Sequence, residues 1–178
     1  MLAQKSVVLH SGTWLPQRLS VASFALSDLS GRRYDNLALA GHPSLLFFGF
    51  TSCPDVCPAT LAVLAELNRQ PPLPGLQIVF VSVDPERDRP AALRPYLASF
   101  DPRFVGLAGS SDALAPLLHS LGTLAERVTL PGGAHTIDHT ATLYLLDRSG
   151  RTAAVFSPPF TAAGLRADLE QVARRAAL

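Results

Sequence analysis

Two uninterrupted apolar runs most strongly constrain the fold of this 178-residue chain. The first is SLLFFGF at residues 44–50, and the second is LQIVFVSV at residues 76–83. Apolar runs of this length without alternation are typical of strands buried on both faces, as in parallel sheets covered by helices. Leucines at helical spacing over residues 57–69 predict a helix between the two runs. The sequence therefore predicts a β-α-β unit and an α/β fold.

The segments around this unit are consistent with the same class. A turn at Ser30-Gly31 predicts an early hairpin. The remaining predictions are helices at 90–100, 111–121 and 161–177, a short strand at 104–107, and a hairpin formed by 141–147 and 151–156. This order, which ends in a hairpin and a helix, is the layout of thioredoxin-like folds. We predict one thioredoxin-like domain over residues 1–178, with an N-terminal β-hairpin extension and an irregular segment over residues 1–15.

The composition excludes several classes of protein. Hydrophobic residues make up 48% of the chain, so we do not expect disorder. A net charge of +1 with 16% charged residues lacks the basic footprint of a nucleic-acid binder. No apolar stretch reaches the roughly 18 residues of a membrane span, and the first residues are too short for a signal peptide. We expect either a protein that works where it is made or a domain separated from its targeting segment.

Both cysteines lie in one short stretch, FTSCPDVCPAT at residues 50–60. Cys53 precedes a proline, which disfavours helical backbone, so Cys53 is predicted to lie in the loop after the buried strand. Cys57 precedes Pro58, and proline is favoured at the first helical position. Cys57 is therefore predicted at a helix N-terminus, where the helix dipole lowers the pKa of a thiol.

Two thiols at C-x3-C spacing leave three interpretations open. They can form a structural disulfide or simply pack, they can form a redox pair, or they can bind a soft metal such as Cu(I) or zinc. Two cysteines do not complete a structural zinc site, which needs four ligands. A metal site at this position requires a further ligand from elsewhere in the chain.

The histidines provide the candidates for that ligand. His10, His42 and His119 are predicted to be surface or packing residues. His135 and His139 occur in GGAHTIDHTATLYLLD, at the approach to a predicted strand. With the period of 2 residues of a strand, His139 shares one face with an apolar stripe formed by Ile137, Ala141, Leu143 and Leu145. His135 falls on the same face and is the rival candidate. The alternative to a ligand is a satisfied histidine at the edge of the core.

Three stretches in this order resemble the Sco/SenC family of copper-binding proteins: FFGFTSCPDVCPATL, VFVSVDPERDRP and IDHTATLYLLDRSGR. The stretch GTWLPQRLSVASFALSDLSGRRY is similar to the N-terminal hairpin of that family, and the resemblance covers about residues 11–175. It implies a thioredoxin-like fold. It also implies that Cys53, Cys57 and His139 bind copper, as Cu(I) or Cu(II), and that the protein helps to assemble the copper A centre of cytochrome c oxidase.

The resemblance carries further expectations. It implies two partners, the copper-containing subunit of cytochrome c oxidase and an upstream copper donor protein. It also implies a location at the periplasmic face of the bacterial inner membrane, through an anchor that is absent from this chain. Two features depart from the family pattern. The stretch between Gly122 and His135 is short, and His135 stands where an aromatic residue is common, so it offers copper an extra or alternative ligand.

Three acidic residues lie near the predicted site. Asp84 ends the second buried strand, and it is expected either to orient a ligand or contact a partner, or to cap the next turn. Asp138 adjoins His139 but is predicted to point to the other face of the strand. Asp55 lies inside the cysteine motif, where it is expected to cap the helix or to meet a basic side chain of a partner.

Three functions compete on these residues. The first is a copper chaperone. The second is a thiol–disulfide oxidoreductase in which Cys53 and Cys57 keep the cysteines of a copper-receiving partner reduced. The third, a peroxidase-like protein, lacks an identifiable Thr/Arg pair to support a peroxidatic cysteine. Thiol exchange needs no distant histidine, so His139 discriminates the first function from the second. Metal binding and a disulfide exclude each other, because the ligands are thiolates.

Overall fold

The structure is a computed structural model that describes residues 8–175 and residue 178. Its helices are α1 (Asn36–Leu39), α2 (Val56–Arg69), α3 (Pro90–Ala98), α4 (Ser111–Ser120) and α5 (Ala162–Ala173). Its strands are β1 (Gly12–Ser20), β2 (Ala25–Asp28), β3 (Arg33–Asp35), β4 (Ser44–Gly49), β5 (Gln77–Ser82), β6 (Val105–Ala108), β7 (Ala125–Thr129), β8 (His135–His139), β9 (Leu143–Leu146) and β10 (Arg151–Phe156).

The described strands form a large mixed sheet and a separate hairpin. The sheet has the order β1-β10-β9-β4-β5-β6-β2-β3, and β7 pairs only with β8. At the centre of the sheet, β4, β5 and β6 run parallel, with Gly49 opposite Ser82 in the pairing of β4 with β5. The carboxyl ends of β4 and β5 therefore lie side by side, so the loops that follow them begin at the same edge of the sheet.

The two apolar runs form the predicted buried strands. Every residue of β4 is buried, and β5 is buried from Ile78 onward. Helix α2 buries one leucine face, formed by Leu61, Leu64 and Leu67, and it packs against α5. This arrangement confirms the predicted α/β class and the thioredoxin-like layout.

The N-terminal hairpin extends one edge of the sheet. Strands β2 and β3 pair antiparallel, and β2 also pairs with β6. Gly31 lies in the connecting turn with a φ of 81°, a backbone conformation that glycine adopts without strain. The predicted hairpin extension is therefore confirmed.

Several sequence predictions need correction. The segment 1–15 was expected to be irregular, but its residues from Gly12 onward belong to strand β1, which pairs with β10. Residues 1–7 lie outside the described residues. The strand predicted at 141–147 begins at Leu143, and the stripe of alternating residues that leads into it lies on two strands, because pairing stops at His139 and resumes at Leu143. Strand β7 and helix α1 were not predicted. The last helix ends at Ala173, and residues 176–177 of its predicted range are not described.

Between residues 8 and 175, we find no helix that combines the length and the apolar character needed to span a bilayer.

Candidate metal centre

The first part of the site is the cysteine loop, which we define as residues 50–57 between β4 and the start of α2. Cys53 is half-buried in this loop, and Cys57 is buried as the second residue of α2. The prediction that Pro58 is the first helical residue is wrong, because the helix begins at Val56. Proline is tolerated there, since the N–H groups of the first turn have no partner within the helix. Asp55 occupies the N-cap position without a capping hydrogen bond from its side chain.

The pKa of Cys57 differs from the sequence prediction. Burial raises the pKa of this thiol well above its usual range, and its hydrogen bond with Cys53 raises it further. A hydrogen bond with the backbone of Phe50 acts in the opposite direction and does not compensate. The expectation of a lowered pKa at the helix N-terminus is therefore wrong, because desolvation of the thiolate outweighs the helix dipole. Without a cation beside it, Cys57 is a neutral thiol at neutral pH.

The imidazole of His139 completes the cluster from the opposite side. His139 is the last residue of β8, and its Nε2 lies 3.4 Å from Sγ of Cys57. Its Nδ1 lies 3.3 Å from the carbonyl oxygen of Thr140. Since a carbonyl only accepts, Nδ1 carries the proton and Nε2 is left with a free lone pair. Burial lowers the pKa of His139, which favours this neutral, metal-binding form.

Cys53, Cys57 and His139 each present a ligand atom, and these three atoms lie within 4.8 Å of one another. This spacing allows one ion to contact all three. Thiolates are suited to Cu(I), and an imidazole is suited to both oxidation states of copper. Three protein ligands also leave a coordination position for exchange. The donor set therefore fits a copper ion better than a structural zinc ion, which takes four protein ligands.

Two phenylalanines form an apolar wall around the histidine. The ring of His139 meets those of Phe50 and Phe47 edge-on, with centroid separations of 5.7 and 6.4 Å. These rings keep water from one side of the imidazole and account for part of its burial. Both phenylalanines belong to the apolar run at residues 44–50, which precedes the cysteines in the sequence. Their contact with His139 could not be predicted from the sequence.

A buried carboxylate that sequence analysis did not single out secures the cysteine loop. Asp88 accepts hydrogen bonds from Thr51 N at 2.9 Å, Thr51 Oγ1 at 2.5 Å and Ser82 Oγ at 2.8 Å. Its side chain thus links the start of the cysteine loop to the end of β5. The available signal was a second aspartate in DPERD, four residues after Asp84.

The structure places two of the predicted supporting residues away from the ligands. The carboxylate of Asp84 pairs with Arg87 Nε at 2.5 Å and lies 3.7 Å from His135 Nε2. Asp84 also begins the next turn, because its carbonyl oxygen accepts from Asp88 N. His135 faces this pair, and the metal-capable cluster found in the described chain contains His139 instead.

Asp138 is exposed on the hairpin, opposite Glu126. Its charge raises the pKa of His139, but by less than burial lowers it. Of the other histidines, His10 pairs with Asp168 at 2.8 Å, and His119 lies in the last turn of α4.

Comparisons with known proteins identify the relatives of this chain. The SCO1/SenC family model matches residues 15–174. A Stutzerimonas stutzeri protein is 32% identical over 175 residues, which is 97% of this chain and 83% of that protein. The mitochondrial SCO2 homolog of Danio rerio is 36% identical over 74% of this chain. The matched region is about half (49%) of the zebrafish protein's length.

Solved structures show the same fold. Copper-bound ScoI of Bradyrhizobium japonicum superimposes with a TM-score of 0.77 at 39% identity, over 86% of this chain and 99% of that one. The solution structures of apo Sco1 from Thermus thermophilus give a TM-score of 0.79 at 33% identity, over 94% of this chain and 97% of that one.

Proposed function

Since this chain belongs to the SCO1/SenC family, we propose that it is a copper chaperone that binds one copper ion through Cys53, Cys57 and His139. The observation that carries this proposal is the convergence of their three ligand atoms within 4.8 Å. The copper-bound relative from Bradyrhizobium japonicum supports the choice of metal. The copper comes from an upstream donor protein and goes to the copper-containing subunit of cytochrome c oxidase, where it helps to build the copper A centre.

The burial of the ligands supports a transfer function. Cys57 is buried and His139 is enclosed by phenylalanine rings, whereas Cys53 is half-buried. A ligand of the partner therefore reaches the ion most directly from the side of Cys53. Both thiols lose their protons when copper binds, and the positive charge of the ion replaces the solvation that the buried thiolate lacks.

Family membership also supports a location for this function. The domain works at the periplasmic face of the bacterial inner membrane. Fractionation of the native organism, with detection of the protein in washed membranes and after detergent release, tests this assignment.

Copper reconstitution tests the metal site. The reduced protein is loaded separately with Cu(I) and Cu(II), and stoichiometry and affinity are compared between the wild type and the His139→Ala variant. We expect one copper per chain and a loss of affinity of more than about 100-fold in the variant, above the range for residues that only orient a ligand, and larger for Cu(II). His119→Ala, an exposed histidine replaced in the same way, is the matched control. Binding that survives His139→Ala unchanged contradicts the Cys2His site.

One observation favours a second function, thiol–disulfide exchange. Cys53 and Cys57 are both free, and their sulfur atoms lie within 4.8 Å of each other. In this reaction the more accessible Cys53 thiolate attacks a partner disulfide and forms a mixed disulfide, and Cys57 then displaces the partner's second thiolate. The partner gains two thiols, and this protein gains one disulfide.

The His139→Ala variant separates the two functions. A reductase retains exchange with a disulfide-bonded oxidase subunit after this substitution, whereas a chaperone loses copper transfer. Absence of copper binding by the wild type, together with rapid reduction of that subunit, favours the reductase over the chaperone.

A further inference from the structure

The ligands of the proposed site lie on two segments that do not belong to one continuous sheet. Cys53 and Cys57 follow β4 in the main sheet, whereas His139 ends the hairpin β7–β8, which pairs only with itself among the described strands. An isolated two-stranded hairpin is marginally stable in water. The position of His139 relative to the cysteines therefore depends on contacts made outside the sheet.

The loop between β5 and α3 supplies contacts to both segments; we call residues 83–89 the bridging loop. Toward the cysteine loop, the Asp88 carboxylate accepts from both the backbone N–H and the hydroxyl of Thr51, at 2.9 and 2.5 Å. Asp88 is buried, so water does not replace these hydrogen bonds. This contact fixes the residue two positions before Cys53.

Toward the hairpin, the same loop uses Arg87. Arg87 Nη1 donates to the carbonyl oxygen of His135 at 3.2 Å, while Arg87 Nε donates to the buried carboxylate of Asp84. A planar guanidinium makes both bonds at once because its donors point in fixed directions. An exposed ion pair between Glu86 and Arg127 adds a second link to strand β7.

Arg87 also lies close to the site through an aromatic ring. Its Cζ lies 5.9 Å from the centroid of the Phe50 ring, and the centroid of the His139 imidazole lies 5.7 Å from the same ring centroid. The guanidinium thus contacts His135, the first residue of β8. It also lies near the Phe50 ring, which packs against His139, the last residue of β8.

We propose that Arg87 and Asp88 are positioning residues that hold the two ligand-bearing segments in register before copper arrives. Asp88 sets the cysteine loop, and Arg87 sets the hairpin that carries His139. The copper part of this inference rests on the proposed function, whereas the structural part concerns the metal-free protein.

Substitution of Arg87 tests the inference. Arg87→Met removes the guanidinium at similar length, and Arg87→Lys keeps a charge for Asp84 but lacks the fork that reaches the His135 carbonyl as well. Arg89→Met is the matched control, because Arg89 is an exposed residue of the same loop. Arg87→Lys remains informative if Arg87→Met does not fold.

The first readout is amide hydrogen exchange in the reduced, metal-free protein. We expect faster exchange at residues 125–129 and 135–139 in both Arg87 variants, with unchanged exchange in β4 and β5 and no change anywhere in Arg89→Met. Unchanged exchange in the hairpin overturns the proposal. This readout does not involve copper, so it remains decisive if the proposed function fails.

The second readout is a double-mutant cycle on Cu(II) affinity. Arg87→Lys alone should lower affinity about 10-fold, the lower end of the range for residues that orient a ligand. In the His139→Ala background the same substitution should have no further effect, because its influence passes through His139. Additive losses overturn the role of Arg87.

Asp88→Asn tests the other positioning residue. It should act on the cysteines, and it should therefore lower Cu(I) affinity both in the wild type and in His139→Ala. Loss of this effect in His139→Ala overturns the role of Asp88.

Discussion

The Nε2 atom of His139 lies 3.4 Å from Sγ of Cys57, although 82 positions separate the two residues in the chain. The contact joins the first turn of α2 to the end of a hairpin outside the main sheet. In this contact Nε2 is directed at the sulfur, while Nδ1 is directed at the Thr140 carbonyl, so protein groups orient both ring nitrogens. The ligand set is thus largely preorganised, which reduces the ordering required when copper binds.

The two hairpin histidines should differ in their effect on copper binding. We expect His135→Ala to retain one copper per chain, because the His135 ring faces Asp84 instead of the cysteines. His139→Ala should lose more than about 100-fold in affinity, because it removes a ligand and not only a residue that orients one. Titration of both variants with Cu(I) and Cu(II) checks this, and loss of copper in His135→Ala alone would show that the wrong histidine has been assigned.

The two thiols should react at different rates. Cys53 is half-buried, whereas burial raises the pKa of Cys57, and each unit of increase lowers the thiolate fraction about tenfold. We expect iodoacetamide to modify Cys53 well before Cys57 in the reduced, metal-free protein at pH 8. Mass spectrometry of quenched samples checks the order, and urea-unfolded protein, in which both thiols react alike, is the control. Faster modification of Cys57 contradicts the burial argument.

Gly49 should be required for the packing behind Cys57. A Cβ at this position would lie 2.8 Å from Phe80 Cε2 and 3.0 Å from Cys57 Sγ. We expect Gly49→Ala to cost about 1–3 kcal/mol of unfolding free energy and to weaken copper binding by displacing the sulfur.

Gly106→Ala is the matched control for that substitution. Gly106 lies in strand β6, away from the cysteines. A Cβ at this position would lie 2.6 Å from Leu97 Cδ1. Urea unfolding and copper titration of both variants should show similar destabilisation but weaker copper binding only in Gly49→Ala. Equal copper affinities in the two variants would mean that the sulfur is not displaced.

Asp101 should make a pH-dependent contribution to stability. Hydrogen bonds with Arg103 lower the pKa of Asp101 from the ordinary 3.8 to about 2. Burial raises this pKa, but by less than the hydrogen bonds lower it. A pKa lowered in the folded state stabilises the fold above the unfolded value, and this stabilisation is lost as the pH falls through the folded value.

We therefore expect Asp101→Asn to lower unfolding free energy by about 2 kcal/mol at pH 7. The difference from the wild type should shrink between about pH 4 and pH 2. Urea unfolding across this range checks the expectation. Asp55→Asn, an exposed aspartate without a side-chain capping bond, is the control and should change stability little at pH 7. A difference at Asp101 that stays constant with pH contradicts the assigned cause.

Local features of the sequence determined the fold class and the cysteine loop. The apolar runs at residues 44–50 and 76–83 can be satisfied only by burial on both faces, so they predicted β4 and β5 without knowledge of their neighbours. Proline after Cys53 and helical spacing after Cys57 placed the thiols at a strand-to-helix connection. The resemblance to the Sco/SenC family added His139, which periodicity alone had not separated from His135.

Only the tertiary structure decided the properties that depend on distant segments. The helix N-terminus suggested a lowered pKa for Cys57, but the residues that bury this thiol come from elsewhere in the chain and raise the pKa instead. Asp84 and Asp88 occur in the same short motif, yet Asp88 secures the cysteine loop and Asp84 pairs with Arg87. Spacing along the chain specifies local geometry, whereas desolvation and pairing between segments depend on which surfaces the fold brings together.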